Sequence, residues 1–273
     1  RRVALSSGEA RFDHGAQYVT AKTAEFREML DALPGAWADW QDGSDKPPIV
    51  GVPGMSALPR ALATGLDAWQ EVEVTGLTST PQGWIVQTAD MQFEAPRVVL
   101  TVPAPQVAPL LGHDHQLVQQ IADVTMAPSL TLMAAFPAGS PMPFASRRSE
   151  TDPLTWIARD NSKPGRPDTT VTWVAQASSR WSMDHLEADT DAIAALMLPM
   201  LCKVIGTTPE DAVYAAAHRW RYAHVTRALG QPFLRSACGS LYLGGDWCLG
   251  PRVEAAWQSG DAIGRDITRG RRV

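Results

Sequence analysis

Leu241-Tyr242-Leu243 runs into Gly244-Gly245-Asp246-Trp247 and then, across Gly250-Pro251-Arg252, into a helix-forming stretch from Val253 to Gly260. A short apolar run of this kind reads as a buried strand. Paired glycines after it let the backbone turn with no Cβ in the way of an approaching ligand. Asp246 is placed to accept hydrogen bonds from hydroxyls. Pro251, read as the first helical position, starts a helix whose free N–H groups favour negative charge at the same place. Gly-Gly-Asp alone is an ordinary turn, so the strand before it and the helix after it carry the meaning.

The rest of the chain bounds what such a motif can serve. At 273 residues two intertwined domains are expected, and 45% hydrophobic with 19% charged residues is ordinary globular composition. A net charge of -5 leaves no electrostatic footprint for nucleic acid. Arg265, Arg269, Arg271 and Arg272 read as a solvated helix end. Cys202, Cys238 and Cys248 form no C-x-x-C, so neither a disulfide framework nor a thiolate metal site is expected, and a reducing, cytoplasmic setting fits. His113-Asp114-His115 reads as surface loop, and no metal is expected. No apolar run has the length of a membrane span and no signal-peptide pattern opens the chain.

Periodicity supplies the elements. Phe26, Met29, Leu30 and Leu33 predict a helix closed by Pro34-Gly35, and Ser56 predicts the N-cap of a helix bearing Leu58, Leu62 and Leu66. From Glu71 to Val102 the period changes to two, giving a small antiparallel unit that feeds a buried strand at 98–102. Strands are expected at 129–136, 154–159 and 170–176. A helix with its methionines in the core is expected from Ile193 to Val204. The final helix is expected to bury Val253, Ala256, Trp257, Gly260, Ile263, Gly264 and Ile267 on one face.

Several segments, in order, resemble the amine-oxidase-like flavoproteins, and more closely their renalase-like branch. Phe12-Asp13-His14-Gly15-Ala16-Gln17-Tyr18 resembles the segment that passes beside the isoalloxazine, and Val50-Gly51-Val52-Pro53-Gly54-Met55-Ser56-Ala57-Leu58 the loop and helix start that follow it. Val98-Val99-Leu100-Thr101-Val102-Pro103, His218-Arg219-Trp220-Arg221-Tyr222-Ala223 and the C-terminal Gly-Gly-Asp motif also match. Such families open with a strand, a G-x-G-x-x-G turn and a helix. No G-x-G-x-x-G occurs here and the chain opens Arg1-Arg2-Val3, so an N-terminal truncation of roughly 30 residues or more, one βαβ opening, is expected.

The resemblance implies an α/β fold in which a Rossmann-like FAD-binding domain, lacking its first βαβ, is interleaved with a β-rich α+β substrate domain. The implied division gives 1–20, 49–105 and 237–273 to the FAD domain, and 21–48 and 106–236 to the substrate domain. FAD is the implied cofactor, held by Gly15, Ala16, Gln17, Val74, Pro103, Gly245, Asp246, Arg252, Val253, Glu254 and Ala256. Trp220, Tyr222, Tyr18 and Gln17 are the implied catalytic-site residues lining the flavin face. The implied reaction takes hydride from aberrant dihydronicotinamide isomers of NAD(P)H to flavin N5 and passes electrons to O2, giving H2O2. None of Lys22, Lys46, Lys163 or Lys203 falls in a matched motif, which weighs against an amine oxidase proper. Two alternatives stand beside it: an amine-oxidase-like enzyme with another substrate, and a non-catalytic fragment unable to hold FAD. The sequence does not set the oligomeric state.

Overall fold

The computed structural model describes residues 1–270. Two compact units divide the chain, one formed by residues 1–64 and 127–223, the other by 65–126 and the residues from 224 onward.

The first unit opens with an antiparallel hairpin, β1 (Arg2–Leu5) and β2 (Gly8–Arg11). α1 (Ala24–Asp31) is capped by Thr23, whose side chain accepts from the Phe26 N–H, and it buries Phe26 and Leu30 one turn apart. β3 (Trp37–Asp39) and β4 (Ile49–Gly51) pair antiparallel, and α2 (Ala57–Leu62) follows. α2 departs from its prediction. Ser56 makes no side-chain cap bond and only Leu58 is buried, while Leu62 and Leu66 are exposed. Six residues make fewer than two turns, so an apolar stripe reaching residue 66 has no helix to run along.

The second unit begins with the expected antiparallel sheet, β5 (Val74–Thr80), β6 (Gly83–Thr88) and β7 (Gln92–Ala95). β8 (Val98–Leu100), α3 (Val107–Leu111) and α4 (Gln116–Gln120) follow. His115 caps α4, its Nδ1 accepting from the Leu117 N–H at 3.2 Å.

The chain then builds the large sheet of the first unit from β9 (Thr125–Phe136), β10 (Ser146–Arg148), β11 (Leu154–Arg159), β12 (Val171–Ala177) and, after α5 (Ser179–Asp184) and α6 (Thr190–Ile205), β13 (Tyr214–Arg227). The strand order is β10-β11-β12-β9-β13. Alternation along each strand gives the sheet two buried faces. One carries Leu130, Leu132, Trp173 and Ala175 against Ile193, Met197 and Leu201 of α6, the methionine acting as core filler as expected. The other carries Met133, Ala135 and Val174 against Ala10 and Phe12, so residues 1–18 lie over it.

The second unit closes with β14 (Leu234–Arg235), β15 (Leu241–Leu243) and α7 (Val253–Arg269). β15 pairs antiparallel with β14 and parallel with β8, Leu241 opposite Val98 and Leu243 opposite Leu100. Two expectations need correction. The strand from Val98 ends at Leu100 and leaves Val99 40% exposed, so it is not buried on both faces. α7 begins at Val253 with Arg252 as N-cap, leaving Pro251 outside the helix. Its buried residues are Glu254, Ala255, Ser259 and Ile263, while Ala256, Gly260 and Gly264 are exposed. The face is turned because the small residue that permits close packing is in the strand-to-turn junction. A Cβ on Gly244 would meet Ile263 Cδ1 at 2.5 Å and Ser259 Oγ at 2.8 Å.

As contact units, residues 1–64 go with the large sheet as one block, held there by Ala10 and Phe12. Which segments belong to a cofactor-binding domain and which to a substrate domain remains the five-part proposal above. No helix among the described residues is long and apolar enough to cross a membrane. Arg271 and Arg272 of the basic C-terminal cluster lie outside the described residues.

Candidate functional site

In the second unit, β15 delivers the chain to Gly244, whose N–H donates to Leu100 O at 2.9 Å. Gly245 follows with φ +148° and donates to Ser259 Oγ of α7 at 3.0 Å. A Cβ at Gly245 would meet Trp247 Nε1 at 2.7 Å, so glycine is needed both for the angle and for the space. Trp247 is buried and donates to Val102 O at 3.0 Å, tying the turn to the strand beside it. Asp246 opens a single 3-10 turn, and its main-chain oxygen accepts from the N–H groups of Leu249 and Gly250. Burial raises its carboxyl above the usual carboxylate range, against the pull of nearby backbone N–H groups, and no cation contributes. Arg252 is exposed and offers no side-chain cap to the seventeen-residue helix it precedes. Val253 and Glu254 form the first turn, with Glu254 buried. An acceptor for hydroxyls thus sits near a helix start that its own N-cap leaves to other acceptors. Cys248 is buried behind it, burial pushing its thiol up to about 11.

In the first unit, residues 13–18 lie over the sheet face in an irregular path that bends at Gly15 and is fastened by side chains. Three consecutive carbonyls are engaged. Asp13 O accepts from Gln17 Nε2, His14 O accepts from Trp220 Nε1 at 2.8 Å, and Gly15 O accepts from Gln176 Nε2 at 2.9 Å and Gln17 Nε2 at 3.2 Å. Trp220 packs so closely that a Cβ on Gly15 would meet its ring at 3.4 Å. His14, His218 and Trp220 form a three-ring cluster, with centroids 4.9 Å apart for the imidazoles and 4.4 Å for His218 with Trp220. Burial first, then the nearby N-terminal charge and His218, hold His14 down to about 4. Burial likewise lowers His218, so both imidazoles are uncharged at neutral pH.

Behind this segment lies a buried group of charges. Lys163 Nζ is 2.6 Å from Asp160 Oδ1, 3.2 Å from Gln17 Oε1 and 3.5 Å from Asp13 Oδ2. Arg166 donates to the same Asp13 oxygen and to Gly51 O. The other Asp13 oxygen accepts from the Met55 N–H at 2.9 Å, bringing the 51–55 loop to the same point. Burial works to raise the Asp13 carboxyl, but the charges of Lys163 and Arg166 outweigh it and hold the group below the usual range. In front, a cavity of about 230 Å³ is lined by Arg1, Arg2, Arg11 and Arg60 with Asp13, Gly54 and Ser56 among its other walls. Arg11 is held by Glu9 at 2.6 Å, and the remaining arginines give the lining an excess of positive charge.

The sequence-predicted residues fall into separate roles. Trp220 and Gly15 meet directly, and strand alternation sets the half-buried Tyr222 on the side of β13 that carries Trp220. Tyr18 packs on Trp156 at 5.3 Å and its hydroxyl accepts from Arg148, away from the three-ring cluster. Gln17 is buried with both ends of its amide in use within the first unit. Ala16 is exposed beside it. Val74 opens β5 and Pro103 caps a 3-10 turn, both in the second unit with Gly245, Asp246, Arg252, Val253, Glu254 and Ala256. Sequence reasoning missed Asp13, Asp160, Lys163, Arg166 and Gln176. Asp160-Asn161-Ser162-Lys163-Pro164-Gly165-Arg166 has the composition of a solvated turn, and only its partners 150 residues away make it a core.

This strand, glycine turn and helix, with a β-rich sheet carrying an aromatic wall, define a mixed α/β flavoprotein architecture. Residues 6–267 match the family described as "Flavin containing amine oxidoreductase", and the chain belongs to that family. Among curated proteins it is similar to renalase from Mus musculus, 26% identical over an alignment of 169 residues, with 57% of this chain and 48% of the relative covered. A solved structure assigned as a protoporphyrinogen oxidase from Exiguobacterium sp. 255-15 shares the fold, with a TM-score of 0.62 at 16% identity over 81% of this chain and 52% of that one. A putrescine oxidase variant does so with a TM-score of 0.56 at 15% identity, covering 82% of this chain and 54% of that one. The chain therefore spans about half the length of these relatives.

Family membership makes FAD the cofactor to test against the residues present, and they fit parts of it. The partly buried Asp246 carboxylate without a cation and the α7 start have the chemistry of hydroxyl and pyrimidine recognition respectively.

Proposed function

We propose that this chain is an FAD-dependent oxidase of the renalase-like branch, acting on dihydronicotinamide isomers of NAD(P)H with O2 as electron acceptor. The observation that carries this reading is the wall of His14, His218 and Trp220, three aromatic rings of which both imidazoles are uncharged. A flat, uncharged dihydropyridine matches such a wall by stacking. FAD, when bound, supplies the redox chemistry: it accepts a hydride at N5 and returns the electrons to O2 as H2O2.

The chain's own residues bind and orient. Asp246 would accept hydrogen bonds from ribityl hydroxyls, Val253 and Glu254 at the start of α7 would stabilise negative charge on the pyrimidine, and Arg252 would add to it. Gly15, Ala16 and Gln17 would line the ring, with Trp220, Tyr222 and Tyr18 as aromatic surroundings, Val74 and Pro103 completing the cofactor contacts. No acid or base is assigned, because hydride transfer rests on proximity and orientation. The arginine-lined cavity favours a dinucleotide and opposes a protonated amine.

Anaerobic mixing of the FAD-loaded protein with 2- or 6-dihydro isomers of NAD(P), with NADH and with a primary amine tests the proposal. The isomers should bleach the flavin much faster than the other two. Rapid bleaching by the amine alone would move the chain to the amine-oxidase reading. Protein that takes up no FAD at all would favour the non-catalytic reading.

A further inference from the structure

We infer that Lys163 is a positioning residue: through the Gln17 amide it sets the direction of the peptide groups of residues 13–16, the surface that the FAD reading above places beside the flavin. This inference rests on that reading and assigns a role to a residue outside the flavin motifs.

Gln17 donates from Nε2 to two carbonyls of its own segment, Asp13 O and Gly15 O, and turns Oε1 to Lys163 Nζ at 3.2 Å. The reversed amide would set its oxygen against two carbonyls and its NH2 against an ammonium, repelled at both ends. Lys163 therefore selects one orientation. It cannot leave, since its side chain has no exposure and Asp160 holds it at 2.6 Å. Asp160 in turn accepts the Asp13 N–H at 3.1 Å, closing the loop back onto the same segment. Peptide groups are planar and trans, so fixing the carbonyls of residues 13, 14 and 15 also fixes the N–H groups of residues 14, 15 and 16, each anti to its own carbonyl. An N–H dipole held in place favours negative charge put before it.

A buried pair of ion pairs is a weak source of net stability compared with apolar packing, but it fixes geometry. Here it fixes the segment from below while Trp220 and Gln176 fix it from the sheet.

The test uses FAD-loaded protein and inorganic sulfite, which adds to the flavin ring and leaves it negatively charged, so its affinity reports the dipoles around the ring. Lys163→Met and Gln17→Leu should each weaken sulfite binding about ten-fold and displace the visible absorbance maximum. The double variant should be no weaker than the worse single variant, because both act through one amide. A fall in melting temperature with sulfite affinity and spectrum unchanged would overturn the inference, as would additive losses in the double variant. Should Lys163→Met fail to fold, Gln17→Leu decides alone, since it leaves Lys163 on both carboxylates. A wild-type protein that takes up no FAD would overturn the FAD reading and this inference with it. Failure of the inference alone needs flavin-bound wild type and shows only in the variants.

Discussion

Lys163 Nζ and Asp160 Oδ1 are 2.6 Å apart, three residues along one turn, and neither side chain reaches solvent. With Asp13 and Arg166 they form a charge-balanced group. Removing one member leaves a buried charge without compensation, typically at a cost of about 3–5 kcal/mol. Asp160→Asn should lower the unfolding free energy by about that amount in denaturant titrations. Asp160→Leu with Lys163→Met should cost less than the sum of the singles, because two charges leave together. A loss under about 1 kcal/mol for Asp160→Asn would mean that water reaches the group.

The same group fixes a pH dependence. Asp13 is lowered in the folded state, so its contribution to stability is fully present above the unfolded value of about 3.9. It is lost as pH falls from there through the folded pKa, because the unfolded chain then binds the extra proton. Unfolding free energy should decline on the acid side below about pH 4. The decline should be shallower in Asp13→Asn, measured by urea titration at stepped pH. Parallel acid limbs in the two proteins would show that other carboxylates carry the effect.

How much of this was legible in the sequence follows from where each residue finds its partner. The helix that buries Phe26 and Leu30, the antiparallel unit after Glu71 and the strands from 129 to 177 depend on near neighbours, and the patterns predicted them. The Gly244-Gly245-Asp246 turn was legible because its glycines answer a local steric demand. The face of α7 was misread because Glu254 and Ser259, polar by type, are buried, Ser259 accepting from the Gly245 N–H of the turn. Lys163 was invisible as a core residue because two of its three partners, Gln17 and Asp13, are 146 and 150 residues away. The wall of His14, His218 and Trp220 lay half-seen, since Trp220 was chosen as a ring while the imidazoles' partnership joins the segment after β2 to β13, distant in sequence.

Gly244 makes a sharper test of the C-terminal motif than Gly245, because its backbone angle is available to any residue and only space forbids a side chain. Gly244→Ala places a methyl 2.5 Å from Ile263 Cδ1 and 2.8 Å from Ser259 Oγ. Overpacking of this kind costs about 1–3 kcal/mol. Ile263→Val removes the nearer of the two contacts, so it should restore part of the loss in the double variant. Thermal unfolding of the four proteins measures this. A wild-type melting temperature for Gly244→Ala would show that α7 can shift away without cost.

Asp246 separates a binding role from a turn-building one. Its main-chain oxygen already accepts from Leu249 and Gly250 and its turn is held by Gly245 and Trp247, so the fold does not depend on the carboxylate. Burial without a cation raises its pKa, a cost that two hydroxyl donors of a bound ligand would offset. Asp246→Ala should therefore leave the unfolding free energy within about 0.5 kcal/mol of wild type, or raise it slightly, as expected when a partly buried carboxylate without a cation is removed. FAD affinity should fall by about ten- to a hundred-fold, the equivalent of one lost charge-assisted hydrogen bond of about 1.5–3 kcal/mol. Asp246→Asn keeps the shape and an acceptor and should lose less. Fluorescence titration of FAD into the three proteins gives the affinities. Equal affinities across all three would mean that the carboxylate only shapes the turn, and the cofactor contact would then have to be sought at the start of α7.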